Sequence, residues 1–129
     1  MDGFHARCVR KIVGIQPSYW SRVTNLEVLA LVHGQQLSIL LLQQQLGLFG
    51  KIFRKPFDDV VRRAVFEVGS DEVKMHSKRM RKGRPKLYWA TELHKIAVQI
   101  SGGGGERLQK AMANVYGWKA AVKYWCQWK

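Results

Sequence analysis

Along most of the chain, apolar residues recur every three or four positions, and that spacing predicts helices. In DGFHARCVRKIV, Phe4, Cys8 and Ile12 stand one turn apart with Val9 and Val13 beside them. Arg7, Arg10 and Lys11 fall opposite, giving an amphipathic helix with a basic back. Asp2 opens it and Gly14 stops it. IQPSYWSRV follows as a connection broken by Pro17, and TNLEVLALVHG, with capping residues at its start and Gly34 at its end, predicts a short helix. From Ser38 to Phe53 the pattern is strongest. Leu42, Leu46, Phe49 and Phe53 make a seam, Leu48 and Ile52 lie beside it, and Gly47 and Gly50 permit close helix packing.

After Pro56, FDDVVRRAVFEV predicts a short helix with an Asp at its start. Val68 to Pro85 has no apolar period and reads as a loop, basic over about 69–86. The period returns at Trp89, Leu93, Ile96 and Ile100. SGGGG, Ser101 to Gly105, reads as a flexible break. A short helix around Leu108 to Met112 and a last one from Asn114 follow, the latter with Trp118, Val122 and Trp125 as its stripe and Tyr124 and Trp128 alongside. The fold expected is all-α, one small domain of five to seven helices, organised as 1–100, a Gly-rich linker 101–105, and a Trp-rich helical segment 106–129.

At 129 residues the chain is long enough to bury a core without metal or disulfide staples. Its formal net charge of +13 implies a polyanionic partner, nucleic acid before anionic membrane. Cys8 and Cys126 read as reduced thiols of a nuclear or cytoplasmic protein, with an organellar assembly left open. MDGFHARC has no signal-peptide pattern, and the apolar run Ile39 to Leu42 is too short to span a bilayer.

Catalytic patterns are absent on inspection. GGGGER has Glu106 where a phosphate loop needs lysine. KPFDDV lacks the apolar hairpin that a polymerase carboxylate pair requires, so Asp58 and Asp59 read as helix-start residues. His5 and Cys8 make half a zinc site with no second half. No metal, cofactor or small-molecule substrate is expected, and the chain reads as non-enzymatic.

The best site signal is KMHSKRMRKGRPKLYW, Lys74 to Trp89, with seven Lys or Arg residues and no acid. Such a run suits phosphate contact with counterion release. Within it KGRPK is similar to an AT-hook core, with Lys82 replacing the first arginine. The expected nucleic-acid contacts are therefore Arg7, Arg10 and Lys11 in one patch and Lys78, Arg79, Arg81, Lys82, Arg84 and Lys86 in another, with Tyr88 or Trp89 stacking. Tyr19, Trp20 and Trp128 could stack on unpaired bases or dock a partner chain, and the Trp-rich C-terminus offers a place for a protein partner.

The order of these blocks resembles the segment that follows the polymerase core in non-LTR (LINE-type) retrotransposon reverse transcriptases. Phe4, Arg7, Cys8, Arg10, Ile12, Gly14 and Ile15 match the family's first block, and Asn25 and Leu29 its second. Leu46, Gly50, Arg54 and Pro56 match the third, and Gly83, Arg84, Pro85 and Trp89 the fourth. The likeness covers roughly residues 2 to 100. It implies a truncated, helical, nucleic-acid-facing part of such a protein without its polymerase. Gln43, Gln44 and Gln45 stand where the family's long helix is commonly arginine-rich. The alternative reading is a small basic structural subunit of a ribonucleoprotein or membrane assembly.

Overall fold

The computed structural model describes residues 1–74 and 88–129. They are all-α: eight helices are present among the described residues, with no strand beyond a single antiparallel bridge between Phe66 and Val73. Five to seven were expected; among the eight is one turn within the Pro17 connection, Ser18–Ser21, too short to show a period. The chain forms two compact units, Met1–Gln43 and Gln44–Lys129.

The first unit holds α1 (Asp2–Val13), α2 (Ser18–Ser21), α3 (Asn25–Leu31) and the beginning of α4 (Leu37–Phe53). Gly14 ends α1 in the left-handed region at φ 78°, where a Cβ would be strained. α3 opens with a capping box: Glu27 N–H donates to Thr24 Oγ1 at 3.2 Å and Thr24 N–H donates to Glu27 Oε2 at 2.6 Å. A small core of Val9, Val28 and Leu29, edged by Ile15 and Val23, joins α1 to α3.

α1 buries a different face from the one that bulk apolarity predicts. Ala6, Val9 and Arg10 are buried, whereas Phe4 is 65% and Ile12 83% exposed. Arg10 decides this. Its guanidinium donates to Gln16 O at 2.9 Å, to Asn25 Oδ1 at 3.2 Å and to Val23 O, so the buried charge is surrounded by acceptors. Asp2 does not cap α1. Its carboxylate instead accepts from Ser38 N–H at 2.8 Å and Ser38 Oγ at 2.6 Å, supplying a cap to the first turn of α4 from the opposite end of the unit.

The second unit holds the rest of α4 with α5 (Val60–Val65), α6 (Trp89–Ser101), α7 (Glu106–Ala113) and α8 (Val115–Gln127). Leu46, Phe49, Ile52 and Phe53 of α4 are buried with Phe66, Leu93, Leu108, Met112, Trp118 and Val122, each large side chain contributing roughly 1.5–3 kcal/mol by leaving water. Trp118 lies against Gly50, where a Cβ would stand 2.6 Å from its Nε1, and Nε1–H donates to Leu46 O at 3.0 Å. Arg54 Nη1 donates to Met112 O at 2.8 Å at the end of α7. Buried Arg62 sits among the rings of Phe53, Phe57 and Phe66, 4.5–5.1 Å from their centroids, and pairs with Asp71, which also accepts from Gln109 of α7.

Ser101 to Gly105, expected as a flexible break, is a hydrogen-bonded corner inside this unit. Gly102 at φ 70° and Gly105 at φ 60° take conformations that favour glycine, Ser101 Oγ donates to Gly103 O at 2.6 Å, and α7 and α8 pack back on α6.

Candidate nucleic-acid interface

Sequence reasoning placed Arg7, Arg10 and Lys11 on one exposed basic face. All three line one groove, but the structure gives Arg10 a different role. Arg10 is only 4% exposed and its guanidinium is spent on Gln16, Val23 and Asn25, so it is corrected from a phosphate ligand to a buried clamp. Arg7 and Lys11, one turn apart on α1, are exposed and have no acidic partner among the described residues.

Arg7 and Lys11 stand on one wall of a groove of about 740 Å³ within the first unit. Gly3 and Gly14 leave that wall low, and Gln16, Pro17, Ser18 and Tyr19 face it. The Arg10 clamp builds the groove, because by holding Gln16 O and Val23 O it fixes the connection that carries α2 beside α1. No Asp or Glu lines the groove. Tyr19 is 76% exposed, and its ring lies 5.5 Å from that of Trp20, itself 72% exposed. Two unpaired cations, a concave acid-free floor and exposed rings suit an anionic ligand that carries planar groups. Spacing in α1 revealed Arg7 and Lys11. The facing wall is tertiary, and only Tyr19 was singled out from it in advance.

The second set of expected contacts, Lys78, Arg79, Arg81, Lys82, Arg84 and Lys86, lies outside the described residues, as do Gly83 and Pro85 of the KGRPK stretch. The described residues on either side, Lys74 and Tyr88, both line one small cavity of about 200 Å³ with Ala64, Val65 and Trp89. Trp89, expected to stack on a base, is half-buried and meets Phe49 edge-on with centroids 6.3 Å apart. Its ring therefore serves the core of the second unit, as a residue on the apolar stripe of α6 would.

Other polar groups are structural. Asp59 caps α5, accepting from Val61 N–H at 2.8 Å, and pairs with Lys55 at 3.0 Å; the Lys55 ammonium is the main reason its carboxyl is held below the usual range. His94 lies near Phe49, and burial pushes its imidazole below its ordinary value against a small opposing pull from Glu72. Among the described residues no three His, Cys, Asp or Glu side chains gather as a metal site. No helix among them is long and apolar enough to cross a membrane. No protein family, curated protein or solved structure matches the chain.

Proposed function

We propose that the chain is a non-catalytic, basic helical module that binds RNA or DNA through phosphate contacts, similar in kind to the segment following the polymerase core of non-LTR reverse transcriptases. The observation that carries this is the acid-free groove of the first unit with Arg7 and Lys11 unpaired on its wall. The net charge of +13 and the cations from Lys78 to Lys86 support the same reading. Such a module works where nucleic acid is met, in the nucleus or cytoplasm.

Several of the residues that carry the family likeness have structural roles. Arg10 of the first block bonds to Asn25 of the second. Leu46 and Gly50 of the third block receive Trp118, and Arg54 holds Met112 O. These contacts hold helices together within each unit.

The test is a salt titration of binding to single-stranded RNA and duplex DNA by the intact chain, by an Arg7→Gln/Lys11→Gln variant, and by one with the basic residues from Lys78 to Lys86 changed to Gln. Binding should fall with a log–log slope of about 0.7 to 0.9 per phosphate engaged, and each variant should lower the slope. A flat salt response, or no binding at moderate salt, overturns the reading.

A second reading, a structural subunit of a ribonucleoprotein or membrane assembly, is favoured by the exposed Phe4 and Ile12 on α1. It predicts self-association of the isolated chain, where a free-standing binder is monodisperse.

A further inference from the structure

The second unit presents another surface, of which the sequence singled out only Trp128 as a ring that could stack on bases. The inner face of α8 is fixed in the core by Trp118, Val122 and Cys126. Its outer face carries Tyr116, Tyr124 and Trp128, 84%, 64% and 77% exposed. Four-residue steps from Tyr116 through Ala120 to Tyr124 and Trp128 wind them as a broad band, about 18 Å long and turning about 120° around the helix axis. Ala120 leaves open space between the first two rings, and Tyr124 and Trp128 meet edge to face at 6.1 Å. Lys119 and Lys123 flank the band, exposed and without an acidic partner among the described residues. α8 itself contains no Asp or Glu.

We infer that this face is a stacking platform for single-stranded nucleic acid, in which bases lie on Tyr116, Tyr124 and Trp128 while Lys119 and Lys123 meet the phosphates. Three features favour this occupant. Aromatic faces accept any unpaired base, whereas a duplex hides its bases from them. The platform is preorganised, since the opposite side of the same helix is held by the Trp118–Leu46 hydrogen bond and the core around it. The flanking charge is lysine alone with no acid, which complements a phosphate chain, while protein–protein interfaces are depleted in lysine. The inference rests on the chain's being a nucleic-acid binder but uses a surface separate from the Arg7 and Lys11 groove.

The experiment uses the full chain, a fluorescent twelve-nucleotide oligouridylate and a duplex of equal length. Tyr124→Ala/Trp128→Ala and Lys119→Gln/Lys123→Gln change only exposed side chains, and circular-dichroism melts confirm that both remain folded. The expected result is a preference of the intact chain for the single strand. The ring variant should lose about tenfold or more of that affinity with an unchanged salt slope, and the lysine variant should lower the slope by about 0.7 per phosphate lost. If the intact chain binds but the ring variant binds equally well, the platform is refuted and the groove reading survives. If the ring variant keeps its affinity and instead turns an oligomer into a monomer, the face joins protein chains and the inference fails. If the intact chain binds neither probe, both readings fall together.

Discussion

Gly50 and Gly47 lie one turn apart in α4, and alanine should act on them with opposite sign. In an exposed or open helical position, Gly→Ala stabilises by about 1 kcal/mol, because alanine loses less backbone freedom on folding. A Cβ at Gly47 meets nothing within 4 Å, so that gain should stand. A Cβ at Gly50 would stand 2.6 Å from Trp118 Nε1 and 2.7 Å from Cδ1. The indole must move, an overpacking cost of about 1–3 kcal/mol. Its movement breaks the 3.0 Å bond to Leu46 O and leaves a buried donor unsatisfied, a further ~1–3 kcal/mol. Less the propensity gain, Gly50→Ala should destabilise the second unit by roughly 1–5 kcal/mol. At about 4 °C per kcal/mol for a chain of this size, its Tm should drop by roughly 4–20 °C while Gly47→Ala rises by a few degrees. Urea denaturation followed by tryptophan fluorescence, with far-ultraviolet circular-dichroism melts, reads both. In a Trp118→Phe background the penalty at Gly50 should shrink, since the indole nitrogen edge is gone. Equal shifts for the two alanine variants would refute the close approach of α8 to α4.

Three further outcomes follow from the buried and capping groups. Arg10→Met should cost about 2 kcal/mol by removing the donor to Val23 O, one of the two donors to Gln16 O and the tie to Asn25, while exposed Arg7→Gln stays within about 0.5 kcal/mol; equal effects in denaturation would contradict the clamp. Asp71→Asn should cost about 2–3 kcal/mol by leaving buried Arg62 without a counter-charge, softened by the partial exposure of Asp71; a neutral result in the same assay would show that the aromatic cage alone holds the guanidinium. Stability should also fall at both steps of an acid titration. The folded state holds the His94 proton less readily than a free imidazole, whose ordinary value is 6.5, so stability is lost as pH drops through and below that value, and this step should vanish in His94→Gln. The Asp2 carboxyl is held below 3.8, chiefly by the Ser38 hydroxyl and then by the Ser38 N–H, so its contribution is complete above 3.8 and disappears as pH falls through its lower folded value; Asp2→Asn should abolish that limb.

The long helices were legible because their apolar stripes and their buried faces coincide. Leu46, Phe49 and Phe53 in α4 and Trp118 and Val122 in α8 are apolar at helical spacing and buried as expected. α1 shows where that logic ends. Periodicity announces a face, but bulk apolarity chose Phe4 and Ile12, while the packed face is Ala6, Val9 and Arg10. A guanidinium can be buried when carbonyls surround it, and those carbonyls belong to residues 6 to 13 positions later, which no local pattern reports. Asp2 likewise looked like the cap of its own helix and caps one 36 residues away. For the groove, spacing supplied Arg7 and Lys11 but not the Pro17–Tyr19 wall opposite, since a concavity is a tertiary property. The expectation for Ser101 to Gly105 drew on glycine's freedom alone; the same freedom also permits the left-handed turns found there.

Lys74 and Tyr88 line the same small cavity, and Lys74 N–H is tied to Val65 O at 3.0 Å beside the Phe66–Val73 bridge. The residues just before and just after positions 75–87 therefore meet at one cavity. Lengthening an insert between fixed ends costs only about 0.6 kcal/mol for each doubling. The described helices should therefore tolerate a lengthened connection between Lys74 and Tyr88 at little entropic cost.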